Sequence, residues 1–212
     1  MVYLIFLIVS FGASIAGAIC GIGGGVIIKP ALDAVGVLDV ATISFLSGCT
    51  VLTMSCYSVY KAKRSGESLI DMKIGTPLAI GAAVGGVVGK WMFQMVSSMF
   101  ADKNMVGAVQ AACLLVITLG TLIYTIYKEK IHTKHLVSFV VCLLVGLVLG
   151  IMSSFLGIGG GPINLVVLFY FFSMDTKAAA QNSLYIILFS QITSFLPVSL
   201  YTSPSPRDRS VS

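Results

Sequence analysis

Six apolar runs of roughly twenty residues each leave this chain one kind of surroundings to fold into, the hydrocarbon of a bilayer. They occupy residues 2–20, 40–60, 74–95, 105–127, 136–156 and 178–201. A run of that length crosses about 30 Å of hydrocarbon as a helix and satisfies its own backbone polar groups. A spanning sheet would need strict alternation of apolar and polar residues, and none is visible. With 57% hydrophobic and 10% charged residues and a mean hydropathy of +1.01, the chain lies outside the soluble range. The expected fold is therefore all-α: a polytopic helical membrane protein with about six spans and two short re-entrant or broken-helix segments. No basic stretch precedes the first run, so it reads as a retained helix and not as a cleaved signal.

Two glycine clusters interrupt this pattern in identical form. Gly21-Ile22-Gly23-Gly24-Gly25 and Gly157-Ile158-Gly159-Gly160-Gly161 stand 136 residues apart, and each is followed by a short apolar piece, an acidic residue (Asp39, Asp175) and another full run. The order marks an internal repeat. It divides the chain into a first transmembrane repeat, 1–127, a cytoplasmic connecting loop, 128–135, a second repeat that is incomplete, 136–201, and a polar tail, 202–212, that reads as non-native. Three consecutive glycines cost a helix about 1 kcal/mol each relative to alanine, so the helix is expected to unwind there. Unwound backbone is tolerated at membrane depth where it is buried in protein or lines a cavity. Its freed amides, with the N-terminus of the next short helix, suit an oxyanion. The alternative is close helix packing, since Gly17, Gly21 and Gly25 also have GxxxG spacing. Gly81, Gly85 and Gly89 recur every fourth residue and form a small-residue stripe for a neighbouring helix.

The net charge of +5 does not point to nucleic acid. The basic residues gather in two loops, Lys61 to Arg64 and Lys128 to Lys134, where the positive-inside rule accounts for them and places both loops in the cytoplasm. The five cysteines, Cys20, Cys49, Cys56, Cys113 and Cys142, lie in apolar runs without a CxxC pair and read as small buried hydrophobes, not as a disulfide frame or a metal site. His132 and His135 stand in a charged loop and read as solvated. No Ser/His/Asp set, carboxylate pair or HExxH is present, so neither catalytic residues nor a cofactor are expected. The glycine clusters lack the spacing of a nucleotide loop, and no potassium-filter sequence occurs.

Lys29 is the most costly residue in these runs. It would neutralise an anion or pair with Asp33 one turn on, unless it snorkels to the interface. The runs after the short pieces carry Thr42, Ser44 and Ser47 in one half and Gln181, Asn182 and Ser183 in the other. Such neutral groups donate to an oxyanion without burying a full charge, or else bond helix to helix. Asn164 and Gln191 are weaker candidates of the same kind. The nominated substrate-binding set is Gly21, Gly23, Gly24, Gly25, Lys29, Ser44, Ser47, Gly157, Gly159, Gly160, Gly161, Asn182 and Ser183.

The doubled glycine motif, with Pro30 in the first half and Pro162 in the second, resembles the sulfite exporter TauE/SafE family. The loop Arg64-Ser-Gly66-Glu-Ser-Leu-Ile70-Asp71, leading into the Gly81 to Gly89 run, adds to that resemblance. It covers about residues 1–200. It implies a multipass permease of two homologous halves in the cell membrane that moves small anions such as sulfite or organosulfonates. The partners implied are a small anionic substrate and the lipid bilayer, with a homo-oligomer left open. A second reading is a non-transporting or partner-requiring membrane scaffold derived from such a carrier, and a third is an ion channel.

Overall fold

The computed structural model describes residues 2–35, 40–66, 68–99, 103–128, 133 and 138–201. Asp39, His132, His135 and the tail 202–212 lie outside the described residues. Eight helices follow one another: α1 Val2–Cys20, α2 Gly25–Val35, α3 Val40–Arg64, α4 Met72–Met99, α5 Lys103–Tyr127, α6 Phe139–Leu156, α7 Gly161–Phe172 and α8 Thr176–Tyr201. No strand occurs among the described residues. Within α3, α4, α5 and α6, the segments Thr42–Arg64, Met72–Met99, Met105–Tyr127 and Phe139–Leu156 are long and apolar enough to cross a bilayer. The segment Phe6–Cys20 of α1 and the helix α7 are shorter apolar helices. Although α8 is long enough, its polar residues lower its hydropathy. They face protein: Asn182, Ser183, Ser190, Gln191 and Ser194 are all buried.

The most extensive helix–helix contact among the described residues follows from the glycine stripe on α4. Cβ atoms built on Gly81, Gly85 and Gly89 would collide with the carbonyl oxygens of Leu143, Leu147 and Ile151 on α6. In return, Gly146 and Gly150 of α6 lie against the carbonyls of Leu78 and Ala82. Two backbones so close exchange dispersion along their whole length, the usual basis of helix association in lipid. On its other side α4 meets α8, where the Thr193 hydroxyl donates to Ala83 O at 2.8 Å and Ser194 donates to Gly86 O at 3.3 Å.

The outer surface is apolar. On α1 the exposed side chains Leu7, Phe11, Ile15 and Ile19 form a stripe at every fourth residue, and on α5 Leu115, Val116, Leu119, Leu122, Ile123 and Ile126 are exposed. Faces of this size are unsustainable in water and natural against lipid tails. All five cysteines are free. Cys142 is buried as expected, but Cys20, Cys56 and Cys113 belong to the exposed surface, since an apolar run does not say which of its faces meets protein.

The loop between α3 and α4 is fixed by short-range chemistry. Gly66 has a positive φ of 70°. Asp71 caps α4, accepting from the backbone N–H of Lys73 at 2.9 Å through its carboxylate and from Ile74 at 3.2 Å through its carbonyl. Gln181 and Asn182 of α8 hold the same loop: Leu69 N–H donates to Gln181 Oε1 at 2.7 Å, and Asn182 Nδ2 donates to Leu69 O at 3.2 Å.

Candidate functional site

Each glycine cluster ends one helix and starts another. Gly21, Gly23 and Gly24 have φ of 71°, 85° and 59°, and Gly157, Gly159 and Gly160 have 66°, 80° and 71°. Three left-handed residues in four are open only to glycine without strain, which explains why both clusters read G-I-G-G. The turn closes α1 through Ile22 N–H to Gly17 O at 3.1 Å, and α6 through Gly157 N–H to Ser153 O at 3.1 Å. Beyond each turn, Gly25 and Gly161 open α2 and α7.

The two breaks rest on each other. A Cβ on Gly25 would collide with the carbonyl of Ile158, and one on Gly161 with the carbonyl of Ile22, so each cluster's fifth glycine makes room for the other cluster's isoleucine carbonyl. Val51 and Ile187, themselves 136 residues apart and both fully buried, approach the missing Cβ positions of both Gly23 and Gly159. Ala180 of α8 abuts Gly21, while its counterpart Ser44 of α3 abuts Gly157. The contacts are those of a pseudo-two-fold pair. They bring the N-terminal ends of α2 and α7 to one place.

The nominated side chains divide. Ser183 donates to Gly21 O at 2.8 Å, and Ser44 lies beside Gly157, so both are at the breaks. Ser47 is fully buried on α3, three residues from Ser44 and therefore on the same face. Asn182 is not brought to the breaks: it binds Leu69 and Ala178 carbonyls, with its Oδ1 toward Gly75 of α4. Lys29 is buried, but its ammonium donates to Gln110 Oε1 and, at 2.8 Å, to Leu156 O. Gln110 in turn donates from Nε2 to Phe155 O at 2.6 Å. Lys29 and Gln110 thus satisfy two of the carbonyls left orphaned where α6 stops, a favourable place for a cation at a helix C-terminus. The same lysine, with Asp33, Gln110 and Thr118, lines a cavity of about 500 Å³ between α2 and α5.

Two residues at the breaks escaped the nominated set. Ser153, in the last turn of α6, and Asn164, in the first turn of α7, are buried with no partner for any side-chain polar atom. Asn164 carried a weak signal as a lone amide just past the second cluster, whereas Ser153 carried none. Gln110 could have been found as the only amide in the apolar run from 105 to 127.

A family model described as sulfite exporter TauE/SafE matches residues 6–204, nearly the whole chain. The chain belongs to this family. No curated protein and no solved structure matches it. Membership of TauE/SafE makes it an integral membrane protein of a transporter family, in agreement with the lipid-facing surfaces of its helices.

Proposed function

We propose that this TauE/SafE chain is a permease of the cell membrane for small oxyanions of the sulfite or organosulfonate type, with the anion bound at the paired glycine breaks and no catalytic chemistry. One observation carries the reading: the N-terminal ends of α2 and α7 converge where Gly25 meets Ile158 and Gly161 meets Ile22. Two helix N-termini direct partial positive charge at one locus, which favours an anion and disfavours a cation. The hydroxyls of Ser44 and Ser47 supplement the helix N-termini, whereas Ser183 is committed to Gly21 O. Lys29 contributes at a distance by holding the end of α6 that leads into the second break. Val51 and Ile187, wedged between the breaks, form the apolar barrier that must move for an anion to pass.

The reading is tested by sulfite flux into proteoliposomes. Replacing Gly24 or Gly160 by leucine puts a side chain on a left-handed residue inside the break and is expected to abolish flux while membrane insertion persists. Undiminished flux in both variants refutes the site.

One observation favours the partner-requiring reading. The face of α6 and α8 that seats α4 includes Ile151, Ser190 and Ser194. Their counterparts 136 residues earlier, Ile15, Met54 and Ser58, line a groove of about 720 Å³ between α1 and α3. No helix among the described residues fills it. On this reading the purified chain alone carries no sulfite flux and shows no stabilisation by sulfite, whereas either effect would rule it out.

A further inference from the structure

We propose that the second break alone holds the ligand groups of the oxyanion site, formed by the first-turn amides of α7 with Asn164 and Ser153, and that the first break is its structural counterpart. The proposal rests on the carrier reading and narrows the site from two breaks to one.

The two breaks have the same backbone and different polar content. At the second, Asn164 is 1% and Ser153 2% exposed, and neither Asn164 Oδ1, Asn164 Nδ2 nor Ser153 Oγ has a partner. Both side chains turn to the same glycine: the vacant Cβ position of Gly160 is 3.2 Å from Ser153 Oγ and 3.3 Å from Asn164 Oδ1. Gly160 is the N-cap of α7, and no side chain caps that helix. Pro162 has no N–H and the Asn164 N–H bonds Gly160 O, so the amides this uncapped start leaves without intrahelical partners are those of Gly161 and Ile163. Ser44 and Ser47, 7% and 0% exposed, bring two more unpartnered hydroxyls to the α3 face that meets Gly157.

The first break has none of these. The counterparts of Ser153 and Asn164 are Gly17 and Ile28, which carry no side-chain polar atom. Gly17 is closed down on the Gly24 backbone, so the space that Ser153 occupies in one repeat is absent in the other. Ala180 stands where Ser44 would be, and Ser183 is already committed to Gly21 O at 2.8 Å. Leaving a buried polar group unpaired costs about 1–3 kcal/mol, so five orphaned side-chain atoms around one break need a guest with several hydrogen-bonding positions.

The donor set defines the guest. It contains no cation, so a doubly charged ion would stay uncompensated, whereas a helix N-terminus with neutral donors suits a single negative charge. Asn164 and Ser153 both donate and accept. They therefore fit a singly charged oxyanion that retains an O–H, such as hydrogensulfite, or one with several acceptor oxygens, such as a sulfonate.

The test is equilibrium binding of radiolabelled sulfite to the full chain in lipid nanodiscs, alongside sulfite flux in proteoliposomes. Asn164→Leu and Ser153→Ala are each expected to weaken binding about tenfold, the equivalent of one lost hydrogen bond to an ion. Ser183→Ala, at the first break, should stay within about twofold of wild type, well below the tenfold that one such bond represents. Asn164→Asp keeps the shape and adds a repelling charge. It should abolish binding and serves if the leucine variant fails to insert. Equal losses at Ser183 and Asn164 would overturn the one-sided site while leaving the carrier reading intact. Unchanged binding in both second-break variants would mean that these atoms hold only buried water, and would overturn the proposal. The expected binding pattern without flux would keep the site and refute the carrier. A wild-type chain that neither binds nor carries sulfite or methanesulfonate would refute both.

Discussion

Gly161→Ala is the most direct test of the contact between the two breaks, because it adds one methyl and nothing else. The φ of Gly161 is not in the left-handed region, so the alanine backbone is unstrained and the effect is purely steric. The new Cβ would lie 2.6 Å from Ile22 Cα and still closer to its carbonyl. Ordinary carbon contacts are about 3.5–4.0 Å, so clearing Ile22 Cα alone parts the breaks by about 1 Å, and clearing its carbonyl parts them further. A gap of that size forfeits up to about half of each dispersion contact across the interface, including the reciprocal one of Gly25 on Ile158. Overpacking costs about 1–3 kcal/mol, and this case belongs at the upper end because both sides are backbone and neither can rotate away. For a chain of this size about 3 kcal/mol lowers the melting temperature by roughly 6–12 °C. The assay is thermal unfolding in detergent followed by Trp91 fluorescence, with Gly120→Ala as the control. Gly120 lies mid-helix with open space around its Cβ position, so alanine there should gain about 0.5–1 kcal/mol. A Gly161→Ala protein that melts together with the Gly120→Ala control would refute the contact.

Two further outcomes follow from the packing. Lys29→Met leaves Leu156 O and Gln110 Oε1 without their donor and should lower stability by about 2 kcal/mol, measured by the same melt. If stability is unchanged and sulfite affinity is lost, Lys29 is a ligand and not a helix cap. Gly85→Leu drives a side chain into Leu147 O and should eliminate folded protein in size-exclusion chromatography, whereas Gly12→Leu, which meets open space, should leave the folded yield unchanged. Normal yield from Gly85→Leu would remove the α4–α6 backbone contact from the fold.

Much of this architecture is legible in the sequence because lipid imposes simple rules. Run length gives the helices, and the glycine pattern locates both breaks. The spacing of Gly81, Gly85 and Gly89 announces the close neighbour that α6 supplies. What cannot be read is which way each helix faces. Protein and lipid are both apolar solvents, so hydropathy alone does not separate the buried Cys142 from the exposed Cys113. The same ambiguity hides the partner of Lys29, since Gln110 is 81 residues away and only the fold brings them together. Asn182 and Ser183 are neighbours in sequence, yet one ties down the α3–α4 loop and the other reaches Gly21. Helical geometry separates successive side chains by about 100°, which is enough to give them different tasks.

Each break rests on a carbonyl of the other, so the freedom to vary is unevenly distributed around them. Ile28 and Asn164, Lys29 and Leu165, Ala180 and Ser44 have parted company, each on one side of the axis only. Gly25 and Gly161 cannot do so, because a side chain on either displaces both breaks. The chain therefore keeps the backbone of its two breaks alike and uses the flanking positions to make them chemically unlike.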